Sequence, residues 1–229
     1  NRVTGWIYVG SGWNALGTYH LSGVGRFDAP DEFIGGGNGV GTFLQDGGVN
    51  MVKNTVYLGY TRGGSGTYDL RGGEVSAEAV VIGYKTNGTL IQSGGSLTVE
   101  TLTVGDGATA ELIQSAGLLT VGTILVGPTG RYELTGGAAE IGRLDVQGVL
   151  DFAGAAATVV WNGGIVDLAG GSTVNGQNAS LTLGPDTLLL IPAGFDPYAA
   201  FGFFHSDGLI HSPGSALVIP GDKGLTLPG

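Results

Sequence analysis

Residues 66–83, GTYDLRGGEVSAEAVVIG, recur in imperfect copies on both sides, which points to a fold in which one small unit stacks on its neighbours. Within this stretch three short runs, 68–70, 75–77 and 80–82, alternate apolar with polar residues. Alternation of this kind marks half-buried strands. Each run is too short for a helix, and Gly66, Gly72, Gly73 and Gly83 supply the corners. One copy is therefore three short strands and three corners.

Two markers recur in phase. Apolar runs closed by glycine end at positions 10, 35, 59, 83, 105 and 127, and LDVQ at 144–147 continues the series without its glycine. The successive spacings are 25, 24, 24, 22, 22 and 20 residues. In step with them come GTYHLSG from Gly17, GTFLQDGG from Gly41, GTYDLRGG from Gly66, GTLIQSGG from Gly88, AELIQSAG from Ala110, GRYELTGG from Gly130 and GVLDFAG from Gly148. This spacing predicts an all-β, parallel β-helix (β-solenoid) with three short strands per coil of about 20–25 residues. Right-handed winding is expected from the general crossover preference.

Stacking places Tyr19, Phe43, Tyr68, Leu90, Leu112, Tyr132 and Leu150 in one inward column, with Leu21, Gln45, Leu70, Gln92, Gln114, Leu134 and Phe152 in a second. The third strand adds the inward pairs Ile7 with Val9, Val56 with Leu58, Val80 with Ile82, Leu102 with Val104, Ile124 with Val126 and Leu144 with Val146. Two features depart from the apolar rule. Glu32 occupies a position where other copies carry Ile or Val, and the expectation is a bulge beside Pro30, because an unpaired buried charge costs several kcal/mol. The glutamines are the second departure, and Gln92 and Gln114 are expected to exchange side-chain amide hydrogen bonds in a ladder.

The regular repeats occupy 1–154, and 155–229 reads as an irregular continuation for two or three coils. Within it, Ile191-Pro192 and Ile219-Pro220 mark a pair offset by 28 residues, and the aromatic-rich stretch 195–212 is expected to cap the open end or to mediate assembly. Because Asn1 stands inside a repeat, the chain is expected to be processed or truncated, its export signal already gone.

Composition narrows the partners. The 47 glycines are about three times ordinary usage, but they do not fall on every third residue, so collagen is excluded. A formal charge of −10 with nine Lys plus Arg argues against nucleic acid as a partner. No run approaches the length of a membrane span. The absence of cysteine excludes disulfides and thiolate chemistry.

The alternation of GTFLQDGG with GTYDLRGG, and of VYLG with VVIG, resembles the β-strand repeats of bacterial surface proteins, which read like TFTQSGG and TYNLSGG with YIG or YLG between. The chain is similar in this respect to autotransporter-associated repeats over residues 6–154. The resemblance implies a secreted or surface-attached β-helix acting as an adhesin, stalk or matrix component.

Candidate surfaces follow from the outward positions. Tyr8, Phe33 and Tyr57, followed by Val81, Thr103 and Leu125, are expected to form an exposed row that contacts a partner or is covered by one. Glu133, Asp151 and Asp167, with Arg131 and Arg143 nearby, are expected to share an acidic outer face, either solvated or, as the one cofactor considered, holding calcium. His205, Ser206 and Asp207 are consecutive, so alternation separates them and no triad is assigned. GGGNGVG at 35–41 lacks the strand, helix and acid of a nucleotide fingerprint and reads as a corner. The sequence thus predicts a non-enzymatic, extracellular or cell-surface fibre module with no catalytic residues. Its expected partners are further copies of itself, head-to-tail or lateral, or other surface proteins. The alternative is an adhesin or a polysaccharide-binding or polysaccharide-cleaving β-helix.

Overall fold

The computed structural model describes residues 5–61, 63–161, 163–168 and 172–212. Strands of successive coils pair in parallel to give a β-solenoid of about nine coils, and among the described residues the one helix is the single turn Pro197–Ala200. Where the corners are tight the ladder hardly breaks. The expected three strands of the central copy form one continuous strand, Ser65–Ile82, which bends at Gly72 and Gly73.

The columns expected from the repeat are present in register. On the first face Tyr19, Phe43, Tyr68, Leu90, Leu112, Tyr132 and Leu150 stand opposite one another in turn, and Val174 extends the series. The third face carries a longer column: Ile7, Glu32, Val56, Val80, Leu102, Ile124, Leu144, Val166, Leu189 and Ile210. Apart from Glu32, these side chains form or pack against one apolar cluster running from Val9 to Ile210. Burying each Leu, Ile or Val in it is worth about 1.5–3 kcal/mol before conformational entropy is subtracted.

Several expectations are corrected. Glu32 does not bulge: it stays in register between Ile7 and Val56, and its side chain is wholly buried. The glutamines do not bond to one another. Each instead reaches one coil onward to a backbone carbonyl, Gln45 Nε2 to Glu74 O at 3.1 Å, Gln92 Nε2 to Leu118 O at 2.9 Å and Gln114 Nε2 to Ala138 O at 2.8 Å. These acceptors are equivalent positions at the start of the second-face strands, just past the glycine corner. A glutamine in the second inward column thus ties the first face of one coil to the start of the second face of the next, and its buried amide finds an acceptor there.

The stretch 195–212 is not an excursion over the end. Phe201–Ser206 pairs with Thr173–Leu183, and Leu209–His211 pairs with Thr187–Leu190, so both are further rungs. The helix Pro197–Ala200, capped by Asp196, stands in the chain where earlier coils have a first-face strand. The second Ile-Pro pair, Ile219-Pro220, lies outside the described residues.

Corners of this kind require glycine for two separable reasons. Gly35 has φ +73° and a Cβ there would collide with the carbonyl oxygen of Ser65 in the next coil. Gly23 has a similar φ, +64°, but nothing lies within 4 Å of the added atom. Gly23→Ala is therefore expected to cost about 1–2 kcal/mol from the left-handed backbone alone. Gly35→Ala is expected to cost clearly more, measured as the difference in urea unfolding free energy. Equal costs would show that the close approach between coils contributes nothing.

Candidate functional site

The expected outward row forms, but not as an open surface. Tyr8, Phe33 and Tyr57 stand in register on the third face, with ring centroids 4.9 and 5.3 Å apart and planes inclined by 16° and 2°. Phe33, expected to be exposed, is only 7% exposed, whereas Tyr8 is 50% exposed. Its outward orientation is as expected, yet neighbouring rings cover it: Trp6 meets it edge-on at 6.0 Å and Tyr60 lies 4.4 Å away. Tyr60 stacks on Tyr84 at 5.8 Å, and Lys85 Nζ sits 4.9 Å from the Tyr84 ring centre. Sequence reasoning missed Tyr60 and Tyr84. Their signal is an aromatic residue directly after the closing glycine in two successive copies, VYLGY and VVIGY.

This geometry limits what the patch can recognise. Tyr8, Phe33 and Tyr57 stack along the solenoid axis, so the faces of Phe33 are occupied by its neighbours. A flat apolar ligand, such as a sugar ring, needs a free ring face. In this row of rings, among the described residues, no ring stacks on the face of Tyr8 turned away from Phe33.

The expected acidic face is divided. Glu133 and Asp151 are adjacent on the first face, whereas Asp167 lies on the third face opposite Asp145, so the three do not converge. Each set has its own arginine. Arg131 contacts Glu133, hydrogen-bonds Asp151 at 2.8 Å and comes within 3.7 Å of Glu111. Arg143 contacts Asp145 at 2.8 Å and Asp167 at 3.3 Å. Partial burial pushes the Asp151 carboxyl up, but hydrogen bonds from Arg131 and the Ala153 N–H outweigh it and hold the group below its usual range. Carboxylates bridged in this way already have a counter-charge. Among the described residues no group of three or more His, Asp or Glu side chains is placed to hold a metal ion. His205 and Asp207 share one side, 3.5 Å apart, while Ser206 is buried and donates to Gly208 O.

A polar cluster that the sequence reading did not assemble lies inside the solenoid. Glu32 comes from the third face, Asn50 from the second, and Gln45 and Tyr68 from the first. Asn50 Nδ2 donates to Glu32 Oε2 at 3.3 Å and to Tyr68 Oη at 2.9 Å, and Tyr68 Oη donates to Gln45 Oε1 at 2.6 Å. All four side chains are buried, and Asn50 stands in a column between Phe27 and Val75. Among the described residues Glu32 Oε1 and Asn50 Oδ1 have no donor. Protonating the carboxyl adds a donor to a cluster rich in acceptors. Burial pushes the Glu32 carboxyl up from 4.5 to about 8, the Asn50 hydrogen bond offsetting only part of the shift.

No known protein family matches the chain, and no curated protein or solved structure matches it. The described geometry defines a class, the parallel β-solenoid, and any reading of its role rests on the surfaces above.

The Glu32 shift sets the sign of a pH effect. The folded state keeps a proton that the unfolded chain releases above its ordinary value of 4.5. The stability linked to it is complete below that value and is lost as pH rises through about 8. Urea unfolding is expected to show a decline of about 1.4 kcal/mol per pH unit within this window. Glu32→Gln, which carries no titrating proton, is expected to remove that slope. The same slope in both proteins would refute a neutral buried carboxyl.

Proposed function

We propose that the chain is a non-enzymatic structural module of a secreted or cell-surface fibre, associating end to end through its first coil. The observation that carries this reading is the open strand edge of that coil among the described residues. Ile7–Ser11, Leu16–Leu21 and Arg26–Ala29 are paired on one edge only among the described residues. Unpaired parallel edges are templates for further strands. Large apolar groups gather at the same coil, with Trp13 81% and Leu16 85% exposed and Trp6, Tyr8 and Val24 also open to solvent. Tyr8 stacks on Phe33 and Tyr19 lies tilted against Phe43, so another coil placed there would extend both rows of rings.

A heterologous contact between one end and the other repeats without closing and gives an open filament. The acidic, cysteine-free composition and the resemblance to bacterial surface repeats support placement outside the cell. Among the described residues no helix is long and apolar enough to cross a membrane. The non-enzymatic reading is supported by the pairing of Glu133, Asp151 and Asp167 with arginines rather than their convergence as an acid and a base. Carbohydrate binding along the Tyr8, Phe33 and Tyr57 row is less well supported, because the faces of Phe33 are occupied.

Electron microscopy of the purified chain over a range of concentrations tests the proposal. Concentration-dependent filaments are expected from the wild type, and Tyr8→Asp with Leu16→Asp is expected to abolish them while leaving the β circular dichroism intact. Discrete rods at every concentration would sink end-to-end assembly. Binding to a soluble glycan panel, lost with Tyr8→Asp, would favour the adhesin reading instead.

A further inference from the structure

The second face is interrupted at one level. Residues 138–141 pair with 118–121 on one edge, and Thr158–Trp161 pairs with 180–183 on one edge. Their facing edges pair with no strand among the described residues. A cleft of about 230 Å³ separates them, lined chiefly by Gly136, Gly137, Ala138, Ala139, Val159 and Val160. The interruption has a cause in chain length. Twelve residues separate Leu112 from Ile124 and Tyr132 from Leu144, but sixteen separate Leu150 from Val166, so the coil widens in one step while the first and third faces stay in register.

The inner side of the cleft is incomplete as well. Ala139 and Val159 are inward positions whose paired neighbours Leu119 and Leu181 are buried, yet both are only partly covered. The cleft therefore offers unpaired backbone edges on two walls and a gap in an apolar column. No charged side chain lines it.

The occupied edges of the two walls indicate what fits. Opposite Ala139, Glu140 and Ile141 stand Leu119, Thr120 and Val121, and opposite Val159, Val160 and Trp161 stand Leu181, Thr182 and Leu183. Both are apolar–Thr–apolar strands, parallel to the wall, with Thr outward. The same order occurs at Leu225, Thr226 and Leu227, outside the described residues. To bring its own copy there, the chain would have to double back past the two rungs stacked beyond Thr158–Trp161. We propose that this cleft is a strand-accepting slot, occupied by the Leu225-Thr226-Leu227 segment of a second copy of the chain.

Main-chain hydrogen bonds to both walls would provide affinity, and the apolar side chains entering the column would fix the register. The slot is remote from the first coil, so the inference does not rest on end-to-end assembly.

Absence of native cysteine makes disulfide trapping direct. Val160→Cys chains are mixed with Thr226→Cys chains and oxidised. The comparison replaces Val160→Cys by Thr98→Cys, an exposed outward position in the regular part of the same face. A several-fold excess of the Val160–Thr226 heterodimer over the Thr98 control is expected, and the synthetic peptide GLTLPG, unlike a scrambled one, is expected to reduce it. The Tyr8→Asp, Leu16→Asp background is expected to retain the cross-link, so failure of end docking and failure of slot occupancy are read separately. Equal yields at positions 98 and 160 would overturn the proposal, as would a double variant that closes only within one chain.

Discussion

Everything in this molecule depends on parallel backbone pairing between coils, which fixes the separation of equivalent residues at about 4.8 Å. A side chain pointing inward must suit the one above it and the one below it, and the requirement propagates along the column. Nine of ten consecutive third-face rungs therefore carry an aliphatic residue at one position, with Glu32 the exception. The same spacing drives the outer aromatic file together and brings the corner of one coil against the backbone of the next. Gly35 beneath Ser65 is a direct result.

The buried cluster of Glu32, Asn50, Tyr68 and Gln45 tests how far that rule can be bent. A polar group in such a core is costly unless partners are in place. Here they come from three faces and successive coils, so slipping any one strand by a residue would send its member outward and leave the others without partners. The cluster makes one register distinctly better than its neighbours, in a chain whose repeats otherwise offer similar alternatives. Its neutral carboxyl is part of the same compromise, since a charge at Glu32 would face the acceptor-rich cluster with no cation near it.

Much of the fold was legible because two periods coincide: alternation of two within each strand and the glycine-marked repeat of the coil. Column membership follows from counting alone, as the match of Tyr19 through Leu150 shows. What was not legible depends on meetings between faces. Asn50 reaches Glu32 and Tyr68 across 18 residues in each direction, a distance that one-copy pattern reading ignores. The glutamines are stacked, which suggests bonds between them, whereas their amides reach backbone carbonyls of the next coil on another face. Asp167 was placed beside Glu133 and Asp151 because the glycine marker fades after residue 148, just where the coil lengthens and the count between faces changes. Tyr60 and Tyr84 were overlooked because they belong to corners, which alternation does not address.

The interruption between 138–141 and Thr158–Trp161 also changes how the rod bears force. Hydrogen bonds between coils run along the solenoid axis, so tension applied at the ends is shared among three parallel ladders through the regular coils. At this level two ladders carry it, as they do at the last described level, where the helix Pro197–Ala200 replaces a first-face strand. With the gap unfilled, a stretched rod would part at one of these two levels, and only this one divides it into two blocks that each keep several stacked coils.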